Sequence, residues 1–317
     1  MDGLLSLTQA DGLGYQFRRL RDADPCVSLA DAAARLDVVE AELVSALCGE
    51  GVLRLDPPFG DLVRAFPKLG RVRAVTRNAI ASIETQGVYP APELGCAGIA
   101  GEVGARFLLD HWRYGYLVDE STGLDDAPMV TFYDARGAAI HEVHVGPETA
   151  HGVLAKLVDL FACFDQKPSD EIVVASPHML VPRCDLAAWL RSAEDARPVG
   201  TAVVGHVLEA ARQEAIPVSV AVRSSGAAQR FSGLLHAVVA SGDVLELEAP
   251  WVRVRASIRR AADAWAVRAP SLDGPFTSLE VLDHGASVVL SLSAARWPGK
   301  PEPPAWRELI ERLPTAL

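Results

Sequence analysis

Three runs decide the fold: GRVRAVTRNAIASIETQGVY (Gly70–Tyr89), RFLLDHWRYGYLV (Arg106–Val118) and MVTFYDARGAAIHEVHV (Met129–Val145). β-Branched and aromatic residues come in short blocks punctuated by Gly87, Gly115 and Gly137, so each run reads as a strand or a strand with its turn. The connections are too short for repeated βαβ crossovers, which favours antiparallel pairing. The block then recurs. Arg77, Gly87, Trp112 and Gly137 are separated by 10, 25 and 25 residues, and Arg223, Gly233, Trp265 and Gly285 by 10, 32 and 20. A period this long implies duplicated domains rather than a solenoid. The predicted fold class is α+β: an internal duplication of two similar halves, each a large antiparallel sheet with flanking helices.

At 317 residues the chain has the length of about two domains. Hydrophobic residues make up 50% and charged residues 22%, enough for a sizeable core. The net charge of −11 argues against a duplex binder, which needs a basic stripe to displace counterions. The five cysteines (Cys26, Cys48, Cys96, Cys163, Cys184) are odd in number and lack a CxxC pair, as expected of reduced cytosolic thiols. The opening MDGLLSLTQADG lacks the basic region and apolar run of a signal peptide, and no apolar run reaches bilayer-spanning length. A cytoplasmic protein without membrane insertion is expected.

The first 69 residues read as helical. Ser28 with Asp31, and Asp37 with Glu40, form two capping boxes that start a pair of short helices. The pair resembles a helix-turn-helix, but its outer face carries Glu40, Glu42 and Glu50 and no basic residue, so it is read as a packing element. Gly146 and Pro147 are expected to open a helix whose apolar face is Val153, Leu154, Leu157, Val158, Phe161 and Phe164. Residues 1–165 form the predicted N-terminal repeat, 166–184 a linker, and 185–317 the C-terminal repeat. The latter begins with helices DLAAWLRSAEDA and GTAVVGHVLEAARQEA and ends in one carrying Trp306, Leu309, Ile310 and Leu313.

No GxSxG elbow, Walker loop, HExxH or dinucleotide GxGxxG occurs, and the glycine-rich GCAGIAGEVG (95–104) is read as a loop. His141 and His144 alternate onto opposite faces of one strand and cannot chelate one metal together. Arg77, Arg106, Arg253, Arg268 and Arg296 lie in or beside strands, where a planar guanidinium fork suits carboxylate or phosphate.

The blocks LGRVRAVTRN, GVY, RFLLDHW, FYDARGAAIHEVHV, AWAVRAPSLDGPFTSLEVLD and RWPGKPEPPAWRELIERLP, in this order and spacing, resemble the HemS/ChuS/PhuS family of cytoplasmic haem-utilisation proteins. The resemblance runs over nearly the whole chain from about Leu36. It implies two similar halves and haem (haem b) in a cleft of the C-terminal half, with Arg106, Arg268 and Arg296 as cofactor-binding residues. The axial histidine that the resemblance implies falls on Ala196, seven residues after Trp189; the implied lysine falls on Ala269, the tyrosine on Ser293, and a first-half histidine on Ile83. The metal-ligand candidates that remain are His206 and His178. The implied function is to carry or sequester imported haem. The alternatives are a haem-degrading enzyme that releases iron, and a scaffold or regulator that kept the fold and lost the site. Expected partners are haem, a haem-uptake or haem oxygenase protein, and a second copy of the chain, with no nucleic acid.

Overall fold

The computed structural model describes residues 9–91, 102–124, 126–168, 193–297 and 299–316. It is α+β with antiparallel sheets, and it divides into two compact units. The first combines residues 1–72 with 108–180, and the second combines 73–107 with 181–317. Residues 73–107 thus belong with the C-terminal part, whereas the sequence reading cuts the chain once, at 166–184.

In the first unit, helices α1 (Gln9–Ala23), α2 (Leu29–Arg35) and α3 (Glu40–Ser45) cover a sheet of order β1 (Val52–Leu55), β5 (Tyr114–Val118), β6 (Met129–Tyr133), β7 (Ala139–Thr149). Ser28 caps α2 as expected, its Oγ accepting from Asp31 N at 3.1 Å. Asp37, however, does not start α3. It takes φ 57° beyond the end of α2, where Val38 N bonds Ala33 O and Asp37 N bonds Ala34 O, a left-handed helix stop. The cap of α3 is Val39, whose N–H is met by the Glu42 carboxylate. Phe17, Ala32, Leu43 and Val44 from these helices share one core with Tyr116, Val118, Met129 and Tyr133. The helix pair is therefore a packing element. A short helix α4 (Gly60–Ala65) follows β1; Gly146 and Pro147 extend β7, and the helix after it, α5 (His151–Phe161), starts four residues later than predicted from Pro147. Leu157 is buried, but Phe164 is fully exposed and takes no part in its apolar face.

In the second unit, one sheet runs β4 (Gly104–Phe107), β10 (Ala227–Gly233), β9 (Val218–Arg223), β16 (Val288–Ala294), β15 (Phe276–Leu282), β14 (Asp263–Ala269), β8 (Asp195–Pro198). A second layer holds β3 (Ala81–Gly87), β13 (Val252–Ser257), β12 (Val244–Ala249) and β11 (Ala237–Ser241), in that order. The alternation in VLELEA and WVRVRASI is borne out, with Leu245, Leu247, Val254 and Ala256 buried and their neighbours more exposed. Helices α6 (Val203–Gln213) and α7 (Pro304–Glu311) add Val204, Leu208, Trp306 and Ile310 to the core between the layers. The predicted helix over 185–196 does not reach its end, because Asp195 and Ala196 are in β8, paired with Arg268 and Val267. Its start, residues 169–184 of the linker with His178, and most of 95–104 lie outside the described residues.

The duplication is explicit in the turns. Strand β2 (Gly70–Arg77) turns into β3 at Asn78, whose N bonds Ala81 O while its Oδ1 accepts from Ile80 N and Ala81 N. Ser224, between β9 and β10, does the same with Ala227 O, Gly226 N and Ala227 N. Arg77 and Arg223 are thus equivalent, as the spacing implied. The β6–β7 and β15–β16 hairpins both carry a register shift just before an aspartate, Asp134 or Asp283. Each aspartate Oδ1 accepts from the N–H groups two and four residues on. This match makes Gly137 (φ 74°) equivalent to Ala286 (φ 56°), not to Gly285. It makes Tyr116, not Trp112, the counterpart of Trp265, since each faces the matched residue of the next strand, Thr131 or Glu280.

Candidate functional site

Registers across the seven-stranded sheet of the second unit assign every side chain to one of two faces, because directly paired residues point the same way. One face is apolar: Val218, Val220, Val222, Leu279, Leu290 and Leu292 are fully buried against α6 and α7. The other face carries a row of serines. Ser232 pairs with Ser219, Ser219 with Ser293, and Ser293 with Ser278, so four hydroxyls cross four adjacent strands. The neighbouring row is Arg230, Ala221, Ser291, Glu280 and Trp265. At one end of this face stand Arg106 and Arg223, either side of Ala228; at the other stand Phe276 and Ala269.

The same face of the first copy is built differently. The hairpin match sets Met129 against Ser278, Thr131 against Glu280, Glu142 against Ser291 and His144 against Ser293. There Tyr116, Met129 and Tyr133 fill the space and helices α1–α3 seal it. In the second copy the matched positions hold short hydroxyls, and Ser219, Ser278 and Ser293 are themselves buried. Where one copy has packed bulk, the other has a floor of short hydroxyls.

The floor's polar groups are unevenly satisfied. Ser219 Oγ bonds Ser232 Oγ at 3.1 Å, and Trp265 Nε1 donates to Asp263 Oδ2 at 2.9 Å. Ser291 Oγ donates to the Glu280 carboxyl and accepts from Arg223 Nε and Nη2 at 3.4 and 3.3 Å. Burial pushes the Glu280 pKa up, against the opposing pull of Ser278, Ser291 and Arg223. Arg296 Nη2 is buried and has no hydrogen-bond partner among the described residues. Such an orphaned group costs about 1–3 kcal/mol unless something else meets it. A ligand with acceptor oxygens would.

The sequence-predicted site residues fall into two sets. Arg106 is exposed on the serine face. Arg296 lies at its far end, with its guanidinium 5.8 Å from the Phe276 ring and Nη1 donating to Ser271 Oγ at 3.0 Å. Ala269 and Ser293, where the resemblance implied a lysine and a tyrosine, are also on this face. Arg268 is on the other face, near Glu194 at 3.6 Å and Glu311 of α7 at 3.9 Å. His206 is exposed on α6, which packs on that apolar face, and its Nδ1 is 3.1 Å from Ala202 O. The structure therefore brings Arg106 and Arg296 to one face and leaves Arg268 and His206 on the opposite side. His141, buried against Trp112, and His144, beside Glu142 at 3.3 Å, point to opposite faces of β7. Among the described residues no cluster of three or more His, Cys, Asp or Glu side chains could hold a metal ion. A separate open cleft of about 340 Å³ lies over Glu84, His236, Glu248, Trp251 and Arg253, but its acids are already ion-paired to Arg73 and Arg253.

Residues 181–313 match the haemin-degrading HemS.ChuX domain, and residues 53–158 match the haem utilisation ChuX/HutX family. The hemin transport protein HmuS of Yersinia pestis is 25% identical over 334 residues, covering 95% of this chain and 97% of that protein. The crystal structure of apo-PhuS, a heme-binding protein from Pseudomonas aeruginosa, superimposes with TM-score 0.82 at 25% identity, covering 97% of this chain and all of that one. The chain thus carries a HemS.ChuX domain and is similar to the HemS/ChuS/PhuS proteins over nearly its whole length. The fold is also that of the Escherichia coli O157:H7 heme degrading enzyme ChuS, with TM-score 0.83 at 22% identity over 96% of this chain and 99% of that one. Ala196, Ala269 and Ser293 stand at the positions to which the resemblance assigned haem contacts.

Proposed function

We propose that this chain binds haem over the serine row of its second copy and carries or sequesters it in the cytoplasm. The observation that supports this most is the contrast between the copies: positions packed with Met129 and His144 in one hold Ser278 and Ser293 in the other. A flat macrocycle needs a floor without protruding side chains, and two propionates need cations at its margin. Arg106 and Arg296 stand at the margin, and the buried Arg296 Nη2 is a donor awaiting an acceptor. Haem, once bound, supplies its own redox and oxygen chemistry; the protein supplies position and shielding. Iron takes an imidazole, thiolate, thioether or phenolate. No such side chain occupies the serine face among the described residues, so a protein ligand comes from off the floor, and His178 is the first to test. A haem-uptake or haem oxygenase protein is the partner this role calls for.

The test is a hemin titration followed by absorbance, on the wild type and on Ser293→Phe, His178→Ala and His206→Ala. A saturable one-to-one Soret shift, lost in Ser293→Phe, supports the reading; loss in His178→Ala names the ligand. A shift no larger than that given by an unrelated acidic protein overturns it and leaves a scaffold of the same fold. Adding a reductant to the complex separates carriage from degradation, because only degradation bleaches the Soret band.

A further inference from the structure

We propose that Glu280 sets the charge that the cleft accepts: as a neutral acid it lets a carboxylate-bearing planar ligand lie over the floor, and as a carboxylate it turns that ligand away. The inference rests on the reading above and adds a selecting residue to it.

The geometry is that of a buried acid without a cation of its own. Glu280 is 1% exposed, between Trp265 on β14 and Ser291 on β16. The Arg223 guanidinium stops at Ser291 Oγ, and hydroxyls alone meet the carboxyl, Ser291 bonding it directly and Ser278 lying beside it. Another acid, buried against the same sheet just before α7, is held in a different manner. Glu302, 2% exposed, takes Arg307 Nε directly at 2.9 Å together with Thr277 N at 2.7 Å and Thr277 Oγ1 at 2.8 Å. That is how this chain stabilises a buried carboxylate. Glu280 has serine hydroxyls in place of that set, and desolvation outweighs what they and the more distant Arg223 return.

The charged groups on the serine face besides Glu280, strand by strand among the described residues, are Arg106 on β4, Arg230 on β10, Arg223 on β9 and Asp263 on β14, with Arg296 at the Phe276 end. Asp263 is engaged by Trp265 Nε1 and the N–H of Ala264. Glu280 is thus the acid that lies inside the floor itself. A second negative charge above it, in a space shielded from water, would be repelled far more strongly than at a surface. A neutral Glu280 removes that repulsion and leaves the rim arginines to attract.

The experiment measures affinity from pH 6 to 9.5 for hemin, by absorbance, and for metal-free protoporphyrin IX, by fluorescence. The metal-free probe carries the same carboxylates without ionisable groups on iron. In the wild type the Kd for both probes is expected to rise about tenfold per pH unit once Glu280 ionises. Glu280→Gln should hold its low-pH affinity across the range. Ser291→Ala, which removes the donor that favours the carboxylate, should move the break to higher pH. A measurement that needs no variant is proton uptake on the wild type, from binding enthalpies in two buffers; above the break, binding should take up close to one proton. Equal pH profiles for wild type and Glu280→Gln, or no proton uptake at any pH, overturn the proposal while leaving haem binding intact. No saturable binding of either porphyrin at pH 6 overturns the underlying reading, and the proposal with it.

Discussion

Glu280 and Ser291 face each other across the β15–β16 pair, and the Ser291 hydroxyl donates to a carboxyl that is 1% exposed. His141 in the first copy is buried as deeply, and the two groups make stability depend on pH in opposite senses. The Glu280 pKa is raised, so from the unfolded value upward the native state holds a proton that the unfolded chain has lost. Its contribution is present at low pH and is lost as pH rises through the folded pKa. His141 is pushed from 6.5 down to about 3, by desolvation first, with Glu142 opposing and His144 adding. Its contribution is present above 6.5 and is lost as pH falls towards 3. Urea midpoints between pH 3 and 9 should therefore lose their alkaline-side decline in Glu280→Gln and part of their acid-side decline in His141→Gln. Unchanged slopes in both variants would mean that neither buried group is titrating as described.

Arg106 and Arg268 separate two accounts of the site, because they lie on opposite faces of one sheet. Arg106→Ala and Arg296→Ala should each weaken hemin binding by about tenfold, the loss of one charge-assisted hydrogen bond. Arg268→Ala should leave the affinity within about twofold, since its neighbours are Glu194 and Glu311 on the far side. Equal losses at all three positions would place the ligand elsewhere than on the serine face.

Much of this fold was legible in the sequence. The equivalence of Arg77 and Arg223 could be read from spacing because the turn after each is held by the next side chain, Asn78 or Ser224, and such turns tolerate no insertion. The later landmarks slid by one and by four residues, since Gly285 and Trp112 share residue type but not position with their supposed mates. Identity of a letter is weaker than identity of a hydrogen-bond pattern. The serine floor was not legible at all: in FTSLEVL and VVLSLSA the hydroxyls read as an ordinary solvated strand face, and only register shows that they line up across strands. Arg268 misled for the same reason, because one residue along a strand is the other face. Gly146 and Pro147 failed as a helix start because β7 runs through them, and a proline at a strand end offends no ladder bond.

Gln229 is the polar exception in the apolar core of the second unit. It is completely buried, its Oε1 accepting from Thr76 Oγ1 at 2.9 Å and its Nε2 reaching Ala74 O at 3.2 Å and Thr85 Oγ1 at 2.9 Å. One side chain thereby ties β10 to β2 and β3. Gln229→Leu keeps the volume but removes three buried hydrogen bonds, and should cost about 2–3 kcal/mol in chemical denaturation. Removing the hydroxyls as well, in the triple variant with Thr76→Val and Thr85→Val, should recover part of that loss. A Gln229→Leu protein as stable as the wild type would show that the network contributes only fold specificity.

Gly137 and Ala286 occupy the same place in their two hairpins, with φ 74° and 56°. That conformation brings Cβ against the backbone and costs an alanine about 1–2 kcal/mol, while glycine gives back about 0.5–1 kcal/mol in chain entropy. Ala286 is exposed, so nothing but its own backbone opposes the change to glycine. Ala286→Gly should gain up to about 1 kcal/mol, roughly 2 °C in Tm for a chain of this size. At Gly137 the reverse change meets a second obstacle: a Cβ there would lie 2.4 Å from Val39 Cγ2 and 3.3 Å from Ala41 Cβ, at the point where Ala41 N bonds Gly137 O. Gly137→Ala must therefore push α3 off the β6–β7 hairpin, and should lose more stability than Ala286→Gly gains. Paired thermal melts of the two variants check the equivalence directly, and a destabilised Ala286→Gly would show that the two hairpin turns are not held by the same constraint.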